Sequence, residues 1–104
     1  MVASLSSADS SLRVLGSALQ GYGVAVATTA DNIANAGTGG YSAKRTQFVS
    51  TAPGARAIVE PTALPVDITT QLVDLTVAAS SYQAAAKAFA SIARTENQAL
   101  NTFA

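Results

Sequence analysis

Apolar residues recur three and four apart at both ends of this chain, and the stretch between them carries no such pattern. The N-terminal series is Leu5, Ala8, Leu12, Leu15, Leu19, Tyr22, Val26, Thr29, Ile33. The C-terminal series is Ile68, Leu72, Leu75, Ala79, Tyr82, Ala86, Phe89, Ala93, Glu96, Leu100, Phe103. This alternation is the seam of a coiled coil, in which each apolar knob sits among four residues of a partner helix. The expected fold is mainly α: long N- and C-terminal helices in an antiparallel coiled-coil-like hairpin, with a short loop or β-hairpin between. With 104 residues the chain is one small domain. Its core is marginal unless partners extend it. The expected divisions are a helix over 1–36, a turn and extended or β-hairpin segment over 37–66, and a helix over 67–104.

The residue inventory removes most chemistry. There is no cysteine and no histidine, so disulfides, thiolate or imidazole metal sites and serine–histidine triads have no raw material. Six acidic residues are scattered singly, without a carboxylate pair on one helical face. No catalytic residue, cofactor site or metal site is expected, and the chain is not read as an enzyme. Six basic residues balance the acids, and only Lys44 and Arg45 adjoin. A nucleic-acid surface needs a clustered positive footprint, so none is expected. The low charge and positive mean hydropathy suit a surface covered by other subunits more than a free monomer. No window is long and apolar enough to span a bilayer. The first residues lack a basic region and an uninterrupted apolar core, so a cleaved secretory signal is not expected.

The first helix is expected to begin near Ser6 with Asp9 in its first turn, and to stop where Gly37 supplies a left-handed residue. Gly16, Gly21 and Gly23 interrupt it. They are either tolerated weaknesses or places of close helix approach, where another backbone comes near. In the middle, Gln47–Val49 and Ala57–Val59 favour strands around the Pro53–Gly54 turn pair, which reads as a small hairpin or an extended loop. Pro61 and Pro65 keep the chain extended before a second helix from about Ile68 to Thr102, capped by Asp67. That helix carries alanine on several sides, from Ala78 to Ala93. A helix apolar around much of its surface is expected in a crowded bundle.

The run from Ala30 to Tyr41, ADNIANAGTGGY, resembles the N-terminal signature of the bacterial flagellar rod and hook proteins. There a terminal helix ends in an Asn-Ile/Leu-Ala-Asn run followed by a Thr-x-Gly-Tyr/Phe turn. Asn32, Ile33, Ala34, Asn35, Thr38, Gly40 and Tyr41 match, with Lys44 and Arg45 shortly after. The stretches Gln71–Leu75 and Ser81–Lys87 are similar to that family's closing helix. Gly39 replaces the family's more usual proline, and the short middle leaves no room for a large β-domain. A proximal-rod-like or reduced member fits these departures.

The resemblance implies a structural subunit of the flagellar basal-body rod, self-assembling by helix packing into a torque-transmitting tube that crosses the periplasm. Its partners would be copies of itself, other rod and hook subunits and the flagellar type III export apparatus, with export not needing a cleaved signal. The assembly positions would be the motif residues together with Leu12, Leu19, Leu72, Leu75, Tyr82, Lys87 and Phe89. Two alternatives stay open: a rod or needle subunit of a related type III secretion system, and a non-flagellar helical-hairpin adaptor.

Overall fold

The computed structural model describes residues 2–103, and the side chains of residues 7–102. The helix α1 runs Val2–Ala34, the strands β1 and β2 span Lys44–Ser50 and Ala55–Pro61, and the helix α2 runs Ile68–Phe103. At 1.5 Å per residue each helix is about 50 Å long, and the molecule is a rod of 61 × 22 × 15 Å. The helices are antiparallel. A Cβ at Gly16 would lie near Phe89, one at Gly23 near Tyr82, and Asn32 bonds Gln71. The expected helical hairpin with a short β insertion is therefore the observed fold.

α1 already runs from Val2 and passes through Ser6, so Ser6 is not its N-cap. The expected seam members Leu5 and Phe103 lie outside the described side chains. At the other end Gly37 is not left-handed; the positive φ among the described residues belongs to Gly40, at 80°. The chain leaves α1 through successive turns instead of one glycine stop, with Thr38 N–H on Asn35 O (2.9 Å) and Tyr41 N–H on Thr38 O (3.2 Å). Only the last of these turns needs the conformation that glycine adopts without strain. α2 begins as expected, with Asp67 Oδ1 accepting from Thr70 N–H at 3.3 Å.

β1 and β2 pair antiparallel from Lys44↔Pro61 to Ser50↔Ala55, around a loop closed by Thr51 N–H on Gly54 O at 2.9 Å. The ribbon lies along α1, and Gly21 makes room for it. A Cβ there would stand 2.5 Å from the Phe48 ring, a separation that forces one of them to move. Phe48 meets Tyr22 edge-on with centroids 5.6 Å apart, a favourable aromatic geometry. Of the three glycines within α1, only Gly21 marks a close approach, and what comes close is a side chain of the β-ribbon, not the backbone of another helix. Gly16 and Gly23 face phenyl and phenol carbons at 3.9 and 3.8 Å, ordinary contact.

The core is thin. Among the described residues Ala43, Ala78 and Ala85 are the buried apolar side chains, and the polar Thr28, Thr29 and Asn32 are buried as well. The inner strip of α2 coincides with the expected seam at Leu75, Phe89 and Glu96 and elsewhere is centred one residue before it, with the seam members Ala79, Ala86 and Ala93 half-buried at its margin. Gln71, Ala78, Ala85, Ile92 and Ala99 turn inward, sharing the strip with half-buried Leu75, Phe89 and Glu96. The expected seam members Leu72, Tyr82 and Leu100 are 49%, 43% and 52% exposed. One residue is about 100° of rotation around a helix. Two forces set that rotation: the Gln71–Asn32 hydrogen bond at one end, and alanines small enough to let α1 come close at Ala78 and Ala85.

Candidate functional site

The expected motif folds into one polar joint where α1, the turn, β1 and α2 meet. Asn32 is its centre, 1% exposed. Its Nδ2 donates to Lys44 O at 2.6 Å and to Gln71 Oε1 at 2.9 Å. Its Oδ1 accepts from Lys44 N–H at 2.9 Å and from the Tyr41 hydroxyl at 2.8 Å. An asparagine amide has two donors and two acceptor lone pairs, and here all four are used. Its amide engages both backbone groups of Lys44 as a neighbouring strand residue would. Burying such an amide is costly unless it is fully bonded, and no apolar or shorter side chain could make these four contacts.

The rest of the motif closes the helix around that amide. Asn35 Nδ2 donates to Asp31 O at 2.9 Å and reaches Asp31 Oδ1 at 3.2 Å, while its Oδ1 accepts from Thr38 Oγ1 at 3.2 Å. Asn35 thus ends the helix through its side chain, not through a left-handed backbone. The Tyr41 hydroxyl also lies 3.1 Å from Asp31 Oδ2, and its single proton serves one acceptor at a time. Desolvation in its half-buried place raises the Tyr41 phenol above its ordinary value, and the hydrogen bond and charge of Asp31 add to this. Ile33 is half-buried and Ala34 exposed. Ala43, just beyond, bonds Leu64 O at 2.9 Å and accepts from Thr62 N–H at 3.0 Å, which ties the entry of α2 to the same joint.

The remaining expected assembly positions are spread along the rod and do not form one site. Leu12, Leu19, Leu75 and Phe89 are half-buried between the helices, and Leu72, Tyr82 and Lys87 are exposed. Gln71 escaped the sequence reading as a bonding residue. Its only signal was a polar side chain one position before a seam leucine. Among the described residues no cluster of carboxylates could hold a metal ion, and no helix is long and apolar enough to cross a membrane.

The arrangement defines a class: an elongated helical hairpin with a rigid polar joint at one end and bare apolar flanks. Residues 12–41, from the first leucines of α1 through Tyr41, match the family described as flagella basal body rod protein. The rod-family resemblance carried by Asn32–Tyr41 is thereby shown, and that family is a structural one. Over those residues the match supports, in general terms, a flagellar basal-body rod component. The match ends at Tyr41, so it does not include the hairpin or α2. No curated protein matches the chain.

Proposed function

We propose that the chain is a rod subunit that assembles with copies of itself and with other rod or hook subunits, as one axial domain of a torque-transmitting tube. The observation that carries this reading is the mismatch between a saturated joint and unsaturated helices. Leu72, Val73 and Val77 on α2 are 49%, 57% and 60% exposed, and Val14 and Val24 on α1 are exposed as well. Isolated exposed apolar residues need no explanation, but runs of them along a small monomer mark surfaces that other chains cover. α2 carries such residues on both sides of its inner strip, which suits a crowded bundle. On this reading Leu72 and Tyr82 contact neighbours, while Leu12, Leu19, Leu75 and Phe89 hold the hairpin itself together. Lys87, on the exposed face, stays at the boundary with the next subunit.

The same reading places the subunit in the rod as it crosses the periplasm, delivered by the flagellar type III apparatus without a cleaved signal, with motility depending on it. The test is assembly. Leu72→Glu with Val77→Glu leaves the hairpin intact by circular dichroism and removes both polymer formation in vitro and swimming in vivo. Normal swimming with both changes present would sink the proposal. A chain that stays monodisperse and fully helical at all concentrations would be a helical-hairpin adaptor instead.

A further inference from the structure

A groove of about 340 Å³ lies between β1 and α2 with α1 as its floor. Hydrogen bonds reveal which groups of β1 border it. In an antiparallel ladder the N–H and C=O of one residue point to the same side, alternately toward and away from the paired strand. Ala43 and Thr51 point toward the β2 side, since Ala43 O accepts from Thr62 and Thr51 N–H donates to Gly54. Lys44 points the other way, with both groups taken by Asn32. Thr46 and Phe48 share the phase of Lys44, and among the described residues no hydrogen bond engages their outward backbone groups. The open edge of β1 therefore begins where Asn32 stops, and it borders the groove. Val77 stands on the facing wall.

An open strand edge accepts extended main chain, with side-chain pockets adding selectivity. This chain exposes a segment between β2 and α2, from Thr62 to Asp67, outside helix and strand; it bends at Ala63 and Leu64, and its unbent part, from Pro65 to Asp67, leaves main chain free to meet such an edge. It carries Leu64, at 66% the most exposed large apolar side chain among the described residues. The backbone of Leu64 is pinned to Ala43, so the side chain is held outward on a fixed support. Three residues on, Asp67 is exposed. Lys44 in the groove lining is exposed too, with no ion pair among the described residues. Asp74 lies on the α2 wall, so a carboxylate entering the groove is favoured on the β1 side, where Lys44 stands.

We propose that the groove seats the Thr62–Asp67 segment of a second copy of this chain, with Leu64 between Phe48 and Val77 and Asp67 beside Lys44. The proposal rests on the reading of the chain as a self-assembling subunit and specifies one of its contacts. Segment and groove are different patches, so the contact is heterologous and propagates into a helical array unless its rotation closes a ring.

The experiment is sedimentation of the full chain against concentration, with circular dichroism confirming that each variant is folded. Leu64→Glu removes the inserted side chain. Thr46→Pro removes an N–H that points away from β2, so the hairpin ladder is kept. Each is expected to weaken self-association by about tenfold or more, which corresponds to about 1.4 kcal/mol. Lys44→Glu weakens it as well, and adding Asp67→Lys restores it. Leu64→Glu chains retain the groove and Thr46→Pro chains retain the leucine, so a mixture of the two forms one-to-one pairs. Association unchanged by Leu64→Glu and Thr46→Pro overturns this contact and leaves the assembly reading standing. A parent chain that stays monomeric at every concentration overturns both.

Discussion

The two ends of this rod-shaped hairpin are stabilised by opposite means. At the joint, Asn32 has all four hydrogen-bonding positions filled and is 1% exposed. Toward the other end, α1 and α2 meet through small and half-buried side chains, and Leu100 is about half exposed. The joint is complete within one chain. The helices have apolar surface left over. Polar contacts of this kind specify one geometry, because a buried amide without partners is penalised. Apolar strips tolerate several partners, because dispersion and water exclusion are not directional.

The strongest way to break the contrast is to empty the joint. Asn32→Ala leaves both backbone groups of Lys44, the Gln71 amide and the Tyr41 hydroxyl without their partner, and is expected to cost about 2–4 kcal/mol by urea unfolding. Asn32→Asp is expected to lose a comparable amount, since a carboxylate cannot donate to Lys44 O and Gln71 Oε1. If both variants unfold at the parent midpoint, the joint is not what orders the molecule. The next effect separates the glycines of α1. Gly21→Ala drives a Cβ into Phe48 and is expected to destabilise by about 1–3 kcal/mol. Gly16→Ala and Gly23→Ala meet only ordinary contacts and are expected to stabilise by about 0.5–1 kcal/mol. Thermal melts of the three variants give opposite signs if the hairpin seat is where the close approach lies.

A pH series sharpens the joint further. The Tyr41 phenol is raised in the folded chain above its ordinary value of 10.0, so the folded state favours the protonated form. The stability it contributes is therefore fully present below that ordinary value and is lost as pH rises through the higher folded value. Unfolding midpoints at increasing alkaline pH are expected to fall more steeply for the parent than for Tyr41→Phe. The smallest effect belongs to the hairpin surface. Arg45 and Glu60 pair at 2.9 Å across the ladder, but both are solvent-exposed to a large degree. Arg45→Ala is expected to cost less than about 1 kcal/mol, and less again at high salt.

Much of this architecture was legible from residue order alone. The two 3-4 series, the strand-favouring runs around Pro53–Gly54 and the Asp67 cap lead to a helical hairpin with a small β insertion. The run from Asn32 to Tyr41 carries the family resemblance. These signals are local: helix periodicity, turn chemistry and capping act over a few residues, so the sequence displays them directly. What periodicity could not supply was rotation. Leu72 and Gln71 are neighbours in the chain, and the apolar pattern favoured the leucine, yet α2 turns its glutamine inward. That choice depends on Asn32, thirty-nine residues away, and on how closely alanine lets α1 approach.

The role of each motif residue was decided in the same way. The sequence determined that a helix ends near Asn35 and that glycines and a tyrosine follow. Only the folded chain assigns the left-handed turn to Gly40 instead of Gly37, gives Asn35 a side-chain role, and makes Asn32 the point where four segments meet. A buried amide is satisfied by groups brought from distant parts of the chain, so its partners exist only once the tertiary structure has formed.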